Sequence, residues 1–280
     1  DEASKISGID VKIICFEGPE EALNKTENTQ IAILTTSLAI LEILKTKNIN
    51  AQIATGLSLG EYGALIYSEI ISFEDGIKLI QKRGYYMGNL LPDEEYSMAA
   101  VIGLDSSKIE EICKQIENEG KFIVPANYNC SVQTAISGES SAIDEAMEKL
   151  KEAGAKRVIK LKTSGPFHTC KLEKAKEAYK KELENVTFNK GTVKVIKNLD
   201  GTYYQENDDI KEILAKHIVS PVRFDKAIKL MQKEEIEEYV EIGPGKTLTG
   251  FIKKEAREAK TYNISNVETL EQYLEEHNEN

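Results

Sequence analysis

The sequence predicts an α/β protein: a large domain of mixed strands and helices with a ferredoxin-like small domain inserted into it. Three observations carry this. The stretch Gly56-Leu57-Ser58-Leu59-Gly60 joins a short apolar run to a helix-like pattern. Residues 96–162 read strand, helix, strand, strand, helix, strand. Helical and strand patterns then alternate again to the C-terminus. The boundaries that follow are 1–92 and 164–280 for the large domain and 93–163 for the small one.

The elements follow in order. Ile31, Leu34, Leu38, Leu41 and Leu44 recur at near-helical spacing and predict a buried helix over 29–47. Residues 51–55 form a short strand, Ser58 the turn, and 59–68 the next helix. Ser72, with Asp75 three positions on, caps a helix over about 73–90. In the small domain, 96–104 alternates as a strand, and Ser106 caps a helix to about Glu119. Residues 122–128 and 132–136 are strands joined by Asn129-Cys130-Ser131. Ser140 opens a helix to Ala153, Gly154 ends it, and 156–161 is the last strand. Beyond it come helices near 169–184, 208–218, 222–233 and 246–254 and strands near 193–199 and 236–242. The acidic tail from Glu268 to Asn280 is expected to be a fraying helix.

Composition narrows the function. The chain has 280 residues, 41% of them hydrophobic and 30% charged, enough for a sizeable core. A net charge of −11 argues against general nucleic-acid binding, although local basic patches remain compatible with an anionic ligand. Cys15, Cys113, Cys130 and Cys170 form no CxxC pair, and none has a histidine at metal-ligand spacing except Cys170 beside His168, so reduced thiols in a cytoplasmic protein and no metal site are expected. No signal peptide and no 18-residue apolar run are evident, so no membrane span is expected.

The Gly-x-Ser-x-Gly stretch has the spacing of a nucleophile elbow, in which a strand turns sharply into a helix and lifts a strained serine to its N-terminus. Gly56 and Gly60 are expected there because side chains would clash with the neighbouring strand and helix. The backbone N–H of Leu59 and the helix dipole would favour a developing oxyanion. Serine needs a base within hydrogen-bond reach, and the chain has three histidines, His168, His217 and His277. His168 follows Gly165-Pro166-Phe167 in a loop ahead of a helix, where an imidazole can be held exposed; a helix-capping histidine is the other reading. His217 reads as structural, and His277 lies in the tail. Arg83 is either solvated, as most arginines are, or set to meet a substrate carboxylate in two-point fashion. Asn127 and Asn129 are explained by hairpin chemistry alone. Glu61 reads as a first-turn helix residue, not a triad member.

Together these segments resemble the malonyl-CoA:acyl carrier protein transacylase family of type II fatty-acid synthesis. The resemblance rests on residues 18–26, Thr29-Gln30, Gly56 to Tyr62, Arg83-Gly84, Asn127-Tyr128-Asn129, Gly165-Pro166-Phe167-His168 and Glu241-Ile242-Gly243-Pro244-Gly245. It implies an α/β-hydrolase-like large domain carrying the ferredoxin-like insert. It also implies a ping-pong acyltransferase with no cofactor. Ser58 would take malonyl from malonyl-CoA, and His168 would activate Ser58 and then the phosphopantetheine thiol of acyl carrier protein. A main-chain carbonyl near His217 would orient the imidazole. Arg83 would hold the malonyl carboxylate, and Gln30 and Asn127 would line the site. Phe167 matches the malonyl-type pattern, whereas a serine there is typical of methylmalonyl relatives.

Leu57 stands where the family has histidine, and only a tuning effect is expected from it. The family also opens with a strand and a Gly-Gln-Gly-Ser-Gln loop that supplies the second oxyanion N–H. The chain as given begins at Asp1-Glu2-Ala3-Ser4. Losing one such donor costs on the order of 10²–10³ in rate, so weak or no activity is expected of the chain as given. For an acidic carrier protein, Lys156 and Arg157, with Lys160 and Lys162, are the expected docking patch, and Lys171, Lys174 and Lys176 a second cluster. A monomer is expected. Two other readings stand beside this one: an α/β-type serine hydrolase or thioesterase, and a non-catalytic carrier-binding module.

Overall fold

The computed structural model describes residues 1–163 and 165–278. Ser164, at the expected domain boundary, and Glu279 and Asn280, at the end of the expected tail helix, lie outside the described residues. Three short helices come first, α1 (Glu2–Ser7), α2 (Val11–Phe16) and α3 (Glu20–Leu23), followed by α4 (Thr26–Thr46), β1 (Ile53–Ala54), α5 (Gly60–Tyr67) and α6 (Phe73–Asn89). Next come β2 (Tyr96–Ile102), α7 (Ser106–Asn118), β3 (Ile123–Cys130), β4 (Gln133–Glu139), α8 (Ser140–Glu152) and β5 (Arg157–Lys160). A 3₁₀ turn (Cys170–Leu172) leads into α9 (Glu173–Glu184), then β6 (Lys194–Val195), α10 (Ile210–Ile218), β7 (Val222–Arg223) and α11 (Phe224–Lys233). The chain ends with β8 (Glu238–Ile242), α12 (Thr247–Glu255), β9 (Lys260–Ile264) and α13 (Val267–Asn278).

The chain forms two compact units. The first comprises Asp1–Gly84, Thr187–Ile196 and Ile228–Asn280; the second comprises Tyr85–Val186 and Lys197–Ala227. This division differs from boundaries at 92 and 163. The reason is non-local pairing: β7 adds in parallel to β3, with Asn127 opposite Val222 and Tyr128 opposite Arg223, and α9 packs on α10. Both draw residues beyond 163 into the second unit.

In the first unit β1 pairs in parallel with β6, and β8 with β9. Helix α4 buries Ile31, Leu34, Leu38, Leu41 and Leu44, the stripe seen in the sequence. Helix α4 is long and apolar enough to cross a membrane by length and composition, and its apolar stripe is buried in this unit, with α5 packed against it. The cap of α6 is as expected: the Ser72 hydroxyl accepts from the Asp75 N–H at 3.0 Å and donates to its carboxylate at 2.9 Å. The tail forms the helix α13 over its described residues. Leu270 and Tyr273 of α13 are buried, and His277 Nε2 lies 3.2 Å from a Glu238 carboxylate oxygen.

In the second unit the strands order as β5-β2-β4-β3-β7, antiparallel except for the last pair. Helices α7 and α8 cover the sheet through Ile109, Ile112, Ile116, Ile143, Ala146 and Leu150. The cap of α7 is Asp105, not Ser106: its carboxylate accepts from the Ser107 N–H at 2.9 Å.

Candidate active site

In the first unit, β1 ends at Ala54 and α5 begins at Gly60, leaving five residues to reverse the chain. Ser58 has φ 54°, the left-handed region that a residue with a Cβ enters only under tertiary constraint. A Cβ on Gly56 would lie 2.2 Å from the Gly60 carbonyl carbon and 2.3 Å from its oxygen, so only glycine lets the strand end approach the helix start. The companion expectation fails: a Cβ on Gly60 meets nothing within 4 Å. Gly60 N–H bonds to the Leu57 carbonyl at 3.0 Å and Glu61 N–H to that of Ser58 at 3.2 Å, so the helical hydrogen bonding starts at the elbow. Leu59 is the N-cap of α5.

Arg83, on α6, is 1% exposed. Its Nη2 donates to Ser58 Oγ at 2.9 Å and its Nη1 to Gln30 Oε1 at 2.6 Å, while the Tyr62 ring centroid lies 5.6 Å from its Cζ. Its Nε is buried without a hydrogen-bond partner, and no carboxylate pairs with the guanidinium among the described residues. A buried cation supplied only by neutral oxygens is costly unless an anion completes it. The close approach of α4 that places Gln30 here uses Gly84, where a Cβ would sit 2.8 Å from the Glu27 Cα. Ser58, Arg83 and Gln30 are thus brought together. Tyr62 was not singled out as a site residue in the sequence, although it stands four positions after Ser58 on the helix that follows it.

In the second unit His168 is 4% exposed and also has positive φ, 59°. Its Nδ1 lies 3.1 Å from the His217 carbonyl oxygen. A carbonyl only accepts, so Nδ1 carries the proton and a neutral His168 keeps its lone pair on Nε2. The loop is held by Thr169, whose hydroxyl donates to the Pro166 carbonyl at 2.7 Å and accepts from the Lys171 N–H at 3.3 Å. The His217 ring is itself buried and packs 4.9 Å from that of His168. Phe167 packs against Met98, Ala126 and Ala135. Asn127 is buried on β3 at a bulge in its pairing with β4. Lys156 and Arg157 are exposed at the start of β5, an edge strand; Lys160 pairs with Asp144 at 2.8 Å. Lys171, of the second cluster, lies 4.8 Å over the Phe122 ring. Among the described residues, no group of His, Cys, Asp and Glu side chains could hold a metal ion.

A mixed α/β fold with a strained serine at a strand-to-helix turn, a buried arginine on its hydroxyl and a backbone-oriented histidine has the parts of a serine acyl-transfer protein. The acyl transferase domain family matches over residues 1–279, and the chain belongs to that family. It is 39% identical over 283 residues to the malonyl CoA-acyl carrier protein transacylase of Bacillus subtilis (strain 168), covering 100% of this chain and 89% of the relative. The solved malonyl CoA-acyl carrier protein transacylase of Clostridium perfringens superposes with a TM-score of 0.94 at 40% identity, covering 99% of this chain and 87% of that one. A solved complex of a type II PKS acyl-carrier protein with its malonyl-transacylase matches at a TM-score of 0.93 and 33% identity, over 98% of this chain and 89% of that one.

Proposed function

We propose that this chain is an S-malonyltransferase, moving malonyl from malonyl-CoA to the phosphopantetheine thiol of acyl carrier protein and so supplying fatty acid biosynthesis. The observation that carries this is Arg83: a buried guanidinium on the Ser58 hydroxyl, with no carboxylate paired to it among the described residues. Its natural complement is an acyl group with a free distal carboxylate, which distinguishes malonyl from acetyl.

Ser58 Oγ attacks the thioester carbonyl, and His168 Nε2 takes its proton. The tetrahedral oxyanion is held by the Leu59 N–H at the head of α5, then collapses and releases coenzyme A. The imidazolium returns its proton to the departing thiolate. In the second half, neutral His168 takes the proton of the phosphopantetheine thiol, whose sulfur attacks the Ser58 ester; the intermediate collapses with the malonyl thioester formed, and the imidazolium returns the proton to the departing Ser58 Oγ. The His217 carbonyl keeps Nδ1 protonated throughout, so no carboxylate third member is needed. Gln30 orients Arg83, and Asn127 and Phe167 line the acyl end. Lys156 and Arg157, exposed together, take the carrier protein.

The reading includes a ferredoxin-like module over 93–163, supported by the strand order β5-β2-β4-β3 with α7 and α8 on it, set within an α/β-hydrolase-like domain. It also includes a cofactor-independent monomer in the cytoplasm, in keeping with the four free thiols. The experiment is intact mass after mixing with malonyl-CoA and then with a pantetheine thiol, beside Ser58→Ala. A malonyl adduct on the unaltered chain only, discharged by the thiol, is expected. Discharge by water alone would favour the hydrolase, and no adduct on folded protein would favour the carrier-binding module.

A further inference from the structure

The acceptor that orients His168 is a backbone carbonyl at the end of a nine-residue helix, and a single carbonyl cannot hold its direction unless the chain after it is tethered. The His217 carbonyl also faces the Val219 N–H at the helix cap, which it shares with the Lys216 carbonyl, and the Ser220 N–H at 3.4 Å, a long contact that adds little restraint. Two residues further on the chain becomes β7, which pairs with β3 at only two positions. A strand that short is marginal by itself.

Its second residue supplies what the pairing lacks. The Arg223 N–H donates to the Asn198 carbonyl at 2.7 Å. Its guanidinium grips Asp225 at two points, Nε to Oδ1 at 3.0 Å and Nη2 to Oδ2 at 2.7 Å. The same guanidinium lies 4.3 Å over the ring of Tyr128, the residue opposite it on β3, and the Tyr128 hydroxyl donates to Glu110 on α7 at 2.7 Å. The clamp therefore ties the segment leaving α10 to β3 and α7 by a planar group with donors in fixed directions, which a lysine cannot reproduce. Proximity to Asp225 also holds the guanidinium above its ordinary pKa, so it stays charged.

We propose that Arg223, clamped between Asp225 and the Tyr128 ring, is a positioning residue for the His168 base, acting through the His217 carbonyl. This rests on the transferase reading above for its catalytic consequence, though not for its geometry. A misplacement of about 1 Å in a reacting group costs on the order of 10²-fold in rate. Loosening rather than deleting the acceptor is therefore expected to cost about tenfold or more.

The test uses the full chain with Arg223→Gln and Arg223→Lys, each checked for folding by thermal melting. Malonyl transfer is measured, and the ¹⁵N signals of histidine-labelled protein are recorded alongside. The expected result is a kcat lowered about tenfold or more in Arg223→Gln, a KM for malonyl-CoA changed less than twofold, and a His168 signal no longer that of one Nδ1–H tautomer. Arg223→Lys, keeping charge over the ring but losing the two-point grip, should restore only part of the rate. An unchanged His168 tautomer signal in folded Arg223→Gln overturns the inference, as does a loss of rate that merely follows the fraction unfolded. If the unaltered chain transfers no malonyl, the functional reading fails, and the ¹⁵N spectra still decide the positioning role.

Discussion

Arg83→Ala is the sharpest perturbation of the proposed chemistry. The side chain is 1% exposed and makes two hydrogen bonds, one to Ser58 and one to Gln30. Removing one member of a buried, hydrogen-bonded charge pair costs about 3–5 kcal/mol, because the remaining charge is left without its partner. Here the remaining charge is the malonyl carboxylate. At about 1.4 kcal/mol per tenfold, kcat/KM for malonyl-CoA should fall by roughly 10² to a few times 10³. Acetyl-CoA has no carboxylate to strand, and an arginine without an anion no longer opposes it, so its kcat/KM should hold or rise. The assay is the rate of Ser58 acylation by each thioester, read by intact mass on quenched samples. The malonyl-to-acetyl ratio is the decisive quantity, since a mere disturbance of Ser58 would lower both rates together. Equal losses for the two acyl groups would refute the carboxylate role of Arg83.

Other outcomes follow from the same geometry. Gly56→Ala pushes a Cβ into the Gly60 backbone and should abolish the folded elbow, whereas Gly60→Ala has open space and should keep its melting temperature within a few degrees; equal melting losses would contradict the close approach. Charge reversal at Lys156 and Arg157 should raise KM for carrier protein and leave use of coenzyme A thioesters unchanged; an unmoved carrier KM puts the docking patch elsewhere. Glu145, hydrogen-bonded to Lys121 and Lys149, has its carboxyl pKa lowered from 4.5 to about 2. Its contribution is therefore present above pH 4.5 and lost as pH falls towards 2. The melting-temperature gap between the unaltered chain and Glu145→Gln should close over that window, and a gap constant from pH 7 to 2 would argue against the ion pairs.

Much of the site was legible because its residues carry local constraints. Ser58 lies in a motif whose spacing only a sharp turn explains, and the left-handed φ found there follows from that turn. Arg83 was legible as a candidate but not as a partner of Gln30. The two are 53 positions apart and meet only because Gly84 lets α4 pack closely. The carbonyl of His217 was reached through the family resemblance, since a backbone acceptor leaves no trace in residue type. Tyr62 and Arg223 were not singled out as site residues, because one ring and one ion pair look like ordinary core and surface until their neighbours are known.

The same contrast runs through the fold. By itself the sequence determined the elements whose periodicity or caps are local: the stripe of α4, the Ser72 cap of α6, the strand-helix-strand-strand-helix-strand run from β2 to β5, and the elbow. Only the tertiary structure decided which strands pair and where the compact units divide. β1 and β6 lie within stretches read as strands, but β7, read as the start of a helix over 222–233, has two residues, too few to show a period of two, and its identity lies in a partner distant in sequence. The anchoring of α13 on β8 and β9 belongs here too. An acidic helix reads as solvated until a buried tyrosine and a histidine–glutamate contact hold it in place.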